Sequence, residues 1–288
     1  MKLSYFKNYI SLVKFEHTVF ALPFALVGFF LGYYANTELT FDWFLLVKIL
    51  LCMIFARNAA MGFNRYADRK IDAMNLRTAQ REIPSKKISS KSALIFVILN
   101  CILFCATTYF INNLTFYLSP IALFIALAYS YTKRFTALCH FVLGATLAIA
   151  PTGAYIAVCG HFNLTPILLS AAVLLWTAGF DIIYALQDDD FDKSQSLKSI
   201  PVFFGRKKSM ILSSVLHFFV IIILVVIYFY NHFGIFYIIG SVMFSAMLIY
   251  QHLIIKPTDL RKINAAFFTT NGIASVIFGI FAILELIL

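Results

Sequence analysis

The chain has 288 residues, of which 61% are hydrophobic and only 12% charged, with a formal net charge of +10. Its mean hydropathy of +0.87 excludes an ordinary soluble domain and marks an integral membrane protein. The positive charge lies mostly in short loops between apolar runs, which argues against a nucleic-acid partner and for lipid head groups or anionic substrates.

Lys2, Lys7 and Lys14 precede an apolar run from Thr18 to Tyr34. That run is too long for a signal-peptide core and lacks a small-residue cleavage site, so it reads as a retained first span over 18–35. Further apolar segments follow at 43–63, 93–111, 114–131, 138–159, 165–186, 210–230, 233–251 and 264–287. A span needs about 20 residues, so the pattern predicts nine transmembrane helices. Only Asn112 and Asn113 separate the third from the fourth. The expected fold is all-α and polytopic, a single domain over residues 1–288.

Nine spans place 21 of the 23 Lys and Arg residues on one side of the membrane. Eight fall in the loop after the second span: Arg65, Arg69, Lys70, Arg77, Arg81, Lys86, Lys87 and Lys91. The loops at 36–42, 112–113, 160–163 and 231–233 have none. The positive-inside rule makes the basic side cytoplasmic, with the N-terminus in and the C-terminus out. Lys48 and Arg57 remain, both inside the second span. Lys48 either snorkels or faces another helix.

Two acidic motifs stand at the cytoplasmic ends of spans two and six. The first holds Asn64, Asp68 and Asp72, with Arg57 two turns earlier on the same face of a continuing helix. The second holds Asp188 and Asp192, with Asp181 and Tyr184 on the same face within the span. Asp189 and Asp190 point elsewhere. Asp68 to Asp188 and Asp72 to Asp192 are the same interval, which points to two repeated halves carrying motifs at 64–72 and 184–192. Carboxylates at i, i+4 share a helix face. Two such faces suit Mg²⁺, and Mg²⁺ in turn bridges carboxylates to a diphosphate. Arg69, Lys70, Lys133, Arg134 and Lys198 are candidates to neutralise the remaining phosphate charge. The bland reading of each motif is a solvated or capping turn. It fails for Asp181, which lies in apolar sequence and needs a partner.

The five cysteines and six histidines have no metal-ligand spacing, and no nucleotide-binding loop or nucleophile elbow occurs. Most of the 32 Phe and 15 Tyr are lipid-facing packing, although a few ring faces could stabilise a cation.

These motifs resemble the UbiA superfamily of intramembrane aromatic prenyltransferases. The similarity spans nearly the whole chain. It includes Asn64-xxx-Asp68-xxx-Asp72 with the string Asn75 to Pro84, Tyr129 to Thr136, and Asp181-xx-Tyr184-xxx-Asp188-xxx-Asp192 followed by Leu197 to Pro201 and Phe204-Gly205. It also includes Lys14-Phe-Glu16-His17-Thr18 through Ala25. The strings are most like the 4-hydroxybenzoate polyprenyltransferase branch. Lys14 to Thr18 is similar to members that prenylate a dihydroxynaphthoate in the futalosine route to menaquinone.

The resemblance implies nine helices around a central cavity in a bacterial inner (plasma) membrane, with the acidic motifs cytoplasmic. It implies that Asn64, Asp68, Asp72, Asp188 and Asp192 hold Mg²⁺ and a polyprenyl diphosphate. Arg69, Lys133, Arg134 and Lys198 would grip the diphosphate or close a lid, and Arg57 and Tyr184 would lie near the aromatic acid acceptor. The implied chemistry is ionisation to an allylic cation, attack by the ring, and proton removal by Asp181 or Asp188. A secondary transporter, or another superfamily enzyme such as a haem farnesyltransferase, is the competing reading.

Overall fold

A computed structural model describes residues 2–13, 18–36 and 38–288. Twelve α-helices account for most of them: α1 Lys2–Val13, α2 Thr18–Ala35, α3 Trp43–Ala67, α4 Arg69–Met74, α5 Ser90–Tyr109, α6 Asn113–Thr132, α7 Cys139–Cys159, α8 Leu164–Ala185, α9 Asp189–Ser194, α10 Ile200–Asn231, α11 Ile235–Ile254 and α12 Asn271–Ile287. No strand forms among the described residues. Eight helical segments are long and apolar enough to cross a membrane, and the shorter apolar helix Val19–Ala35 stands where the first span is expected. The all-α, polytopic reading therefore holds. Of the Lys14 to Thr18 string, Lys14, Phe15, Glu16 and His17 lie outside the described residues.

Several boundaries differ from the expected spans, each for a local reason. Asn112 Oδ1 accepts from the Thr115 amide at 2.9 Å, so Asn112 caps a new helix that starts at Asn113 instead of continuing the old one. The third apolar span begins at Ser90 because Ser89 caps it through the Ser92 amide. The seventh begins ten residues early, at Ile200, where the Ser199 side chain accepts from the Val202 amide. Gly205, at φ +76°, then breaks α10 into two pieces, a backbone conformation open mainly to glycine. The last span starts with a π-helical turn, Ala265–Thr270.

The chain divides into two compact units. Unit 1 comprises residues 1–18 and 43–131, and unit 2 comprises 19–42 and 132–288. Within unit 1, α3 packs on α5 and α1 packs on α3. Lys48 Nζ donates to the Phe110 carbonyl at 2.9 Å, so this lysine closes the C-terminal end of α5.

Within unit 2, α8 packs between α7 and α10, and α11 packs on α12. Its centre is aromatic: Trp176 is fully buried and meets Phe24, Phe180 and Phe244 at ring separations of 5.0–5.5 Å. The indole N–H donates to Asn271 Oδ1 at 2.9 Å, which satisfies its polar atom. Asn271 Nδ2 and Gln251 Nε2 both donate to the Ala266 carbonyl that the π-turn leaves available.

The α7–α8 contact is close because Gly144 has no side chain. A Cβ there would collide with the Leu174 carbonyl oxygen, whereas one at Gly153 would meet only Ile149 Cγ2 at 3.7 Å. Gly144→Ala is therefore expected to cost about 1–3 kcal/mol and to lower the thermal midpoint in detergent. Gly153→Ala is expected to be neutral or slightly stabilising. Equal midpoints for the two variants would contradict this packing.

Candidate active site at the two acidic motifs

In unit 1 the first motif is built where α3 ends. The helix does not run straight through it, as sequence periodicity suggests. It stops at Ala67, Asp68 takes φ −91° and ψ 4°, and α4 restarts at Arg69. The i, i+4 register survives the break, because the Asp68 amide donates to the Asn64 carbonyl at 2.9 Å and the Asp72 amide to the Asp68 carbonyl at 2.7 Å. Asn64 Nδ2 donates to Asp68 Oδ2 at 3.2 Å, so these two side chains meet.

Asp72 is buried. Its Oδ1 accepts from Arg81 Nη1 at 2.7 Å, while the buried Oδ2 has no hydrogen-bond partner among the described residues. Thr78 Oγ1 donates to the Asp72 carbonyl at 3.0 Å and ties the following turn to it. Arg65, which sequence analysis treats only as a loop base, is buried in the last turn of α3 with Asp72, Arg81 and Glu82 as charged neighbours. Arg57 lies two turns further up α3. Arg69 turns back on its own chain: Nη1 donates to the Tyr66 carbonyl at 2.6 Å, and the guanidinium lies 4.4 Å from the Tyr66 ring centre.

In unit 2 the second motif repeats this construction. α8 ends at Ala185, Asp188 takes φ −110° and ψ 3°, and α9 restarts at Asp189. The Asp192 amide donates to the Asp188 carbonyl at 2.8 Å. Asp192 is 1% exposed and pairs with Lys133 Nζ at 2.5 Å. Burial pushes its carboxyl above the usual carboxylate range, Lys133 opposes that shift, and the neighbouring Asp188 charge adds to it. So in each motif the first aspartate immediately precedes the restarted helix, after a one-residue break at Asp68 and a three-residue break at 186–188, and the second is buried against one cation.

The other candidates have definite partners. Asp189 is gripped by Arg206 through two bonds of 2.6 and 2.7 Å, while Asp190 is almost fully exposed. Lys198 Nζ donates to the Phe135 carbonyl at 3.2 Å, and its backbone amide to the Lys133 carbonyl at 2.7 Å. Arg134 is exposed in the same loop. Tyr184 stacks on Phe267 with ring centres 4.0 Å apart. Asp181 is bound by buried His140 at 2.7 Å. In the sequence His140 is one of six histidines without metal-ligand spacing, and no local pattern links it to an aspartate 41 residues later.

Among the described residues, no three His, Cys, Asp or Glu side chains converge as a ready-made metal cage. The donor chemistry still fits a hard cation. Asp72 Oδ2 is a buried carboxylate oxygen with no donor to satisfy it, and all five candidate ligands offer oxygen.

The UbiA prenyltransferase family model matches residues 21–273. The chain belongs to the UbiA prenyltransferase family. It is 34% identical over 239 residues to the 4-hydroxybenzoate octaprenyltransferase of Aliivibrio fischeri (strain MJ11), covering 82% of each chain. It is 31% identical over 237 residues to the protein of the same name from Tolumonas auensis, again covering 82% of each. Among solved structures, an apo UbiA homolog from Aeropyrum pernix K1 superposes with a TM-score of 0.84 at 29% identity, covering 94% of this chain and 98% of that one. A UbiA homolog from Archaeoglobus fulgidus bound to DMAPP and Mg²⁺ has a TM-score of 0.73 at 22% identity, covering 98% and 100%, and shares the fold. Residues 21–273 of this family member include both acidic motifs.

The Lys133–Asp192 pair can be tested by its pH dependence. A carboxyl whose folded pKa is raised loses stability as pH rises through that range, and Lys133 limits the loss. Lys133→Met leaves the buried carboxylate uncompensated. Its deficit in thermal midpoint relative to the parent protein is expected to be largest at neutral pH and to shrink on acidification. A deficit independent of pH would show that the pair carries no electrostatic weight.

Proposed function

We propose that this protein transfers a polyprenyl group from a polyprenyl diphosphate to the ring of 4-hydroxybenzoate in respiratory quinone biosynthesis. The observation that carries this reading is the 31–34% identity, over 82% of the chain, to proteins named 4-hydroxybenzoate octaprenyltransferase. The twin construction of the two acidic motifs supports it. The charge distribution supports placing the protein in the inner membrane with its N-terminus and both motifs on the cytoplasmic side.

In this reading Asn64, Asp68, Asp72, Asp188 and Asp192 hold Mg²⁺ and the diphosphate, and the two motifs belong to repeated halves of a single domain. Mg²⁺, when bound, supplies positive charge against the diphosphate leaving group. The protein's own residues do the rest. Lys133, Arg134, Lys198 and Arg69 are assigned to the phosphates, for which they would exchange their internal partners. Departure of diphosphate with the C–O electron pair leaves an allylic cation, and aromatic side chains such as Tyr184 shield it from water. The ring carbon ortho to the phenol hydroxyl forms the new bond. Arg57 is assigned to the acceptor's carboxylate, because a fixed guanidinium matches it with two hydrogen bonds.

An assay in membranes with Mg²⁺, a polyprenyl diphosphate, and 4-hydroxybenzoate or a dihydroxynaphthoate as acceptor tests the reading. The expected product is prenylated 4-hydroxybenzoate. Exclusive use of the naphthoate would move the assignment to menaquinone biosynthesis, and no product from either would overturn it. Asp68→Ala combined with Asp188→Ala is expected to lower turnover by roughly a thousandfold or more while expression is kept. Retained activity would remove the acidic motifs from the mechanism.

A further inference from the structure

His140 is the second residue of α7 and is only 2% exposed. Its two ring nitrogens face different partners. Nε2 lies 3.4 Å from the backbone amide of Ile200, the first residue of α10. That amide belongs to the first turn of a helix, where no carbonyl of the same helix can accept from it. An amide can only donate, so Nε2 must present its lone pair. The proton of the neutral ring is then on Nδ1, and Nδ1 lies 2.7 Å from Asp181 Oδ2. The hydrogen-bond pattern thus fixes both the tautomer and the direction of the bond, from His140 to Asp181.

The same segment is tied on its other side. The Lys198 amide donates to the Lys133 carbonyl at 2.7 Å, and Lys133 carries the ion pair to Asp192. His140 therefore connects Asp181, on α8, to the backbone stretch that positions Lys133. Asp181 itself is 22% exposed at its side chain. Among the described residues, His140 supplies the one hydrogen bond recorded to its carboxylate, on Oδ2, which leaves Oδ1 available to a substrate.

We propose that His140 is a positioning residue for the proton-removal step, and that it makes Asp181 rather than Asp188 the acceptor of the ring proton. The proposal rests on the prenyl-transfer reading above. After the allylic carbon bonds to the ring, the C–H bond at that ring carbon breaks. Its electron pair returns to the ring and restores aromaticity, and the proton goes to Asp181 Oδ1. His140 keeps its own Nδ1 proton throughout and holds Oδ2, so the other oxygen is aimed at the substrate.

The test separates ionisation from capture. Diphosphate release and prenylated product are measured in parallel for the parent protein, His140→Leu, His140→Asn and Asp181→Asn, with Mg²⁺, polyprenyl diphosphate and the acceptor. Asparagine keeps an N–H where Nδ1–H stands, and leucine does not. His140→Leu and Asp181→Asn are expected to lower product formation about 10²-fold. Diphosphate release should fall much less, so the product-to-diphosphate ratio drops and prenol accumulates. His140→Asn should restore the ratio, with KM for the diphosphate within about twofold of the parent in all variants.

A parallel fall of diphosphate and product would overturn the proposal and leave His140 a structural cap of α10. So would an unchanged ratio in Asp181→Asn, which stands as the test if His140→Leu does not fold. A parent protein that makes no product defeats the functional reading itself, and the proposal with it.

Discussion

A carboxylate carried into the end of a membrane span must meet a cation or a hydrogen-bond donor there, because the surroundings offer no solvent to stabilise it. Asp72 meets Arg81, Asp192 meets Lys133, and Asp181 meets His140. Each partner lies on a segment other than the aspartate's own helix, so each pair also ties a second segment to the end of a span. The local architecture at the chemistry-bearing ends of α3 and α8 follows from this requirement.

The compensation is incomplete in a way that matters for function. One oxygen of Asp72 is buried without a donor, and the Asp192 carboxyl is shifted upward although Lys133 is beside it. A fully satisfied network would be stable and inert. The buried Asp72 oxygen without a donor offers a lone pair to a hard cation, as the proposed metal–diphosphate site requires. The break at Asp68 and at Asp188 has the same sense. Each aspartate sits near the bridge region of backbone space, where active-site residues recur, and stands directly before the short helix that carries the next, buried carboxylate.

Sequence reading was effective where the physics is local. Spans are legible because about 20 consecutive apolar residues have few other fates. The acidic motifs are legible because acids are rare in such a chain. The helix break was not, since neither motif contains Gly or Pro and an i, i+4 spacing looks the same across a restart as within one helix. The His140–Asp181 and Lys133–Asp192 pairs were hidden for a different reason. They join residues 41 and 59 positions apart, and only tertiary packing brings them together. The π-turn at Ala265–Thr270 also has no sequence signature, because the groups that bond it, Gln251 and Asn271, act on its backbone carbonyls.

The central proposal is that both acidic motifs take part in binding Mg²⁺ and a diphosphate. Calorimetric binding of a polyprenyl thiolodiphosphate, with and without Mg²⁺, tests it most directly. The parent protein, Asp72→Asn and Asp192→Asn would be compared after each is confirmed to be folded. Binding should require Mg²⁺ and should weaken at least tenfold in each variant, about 1.4 kcal/mol apiece. Undiminished Mg²⁺-dependent binding in either variant would contradict this proposal and leave one motif to do the work alone.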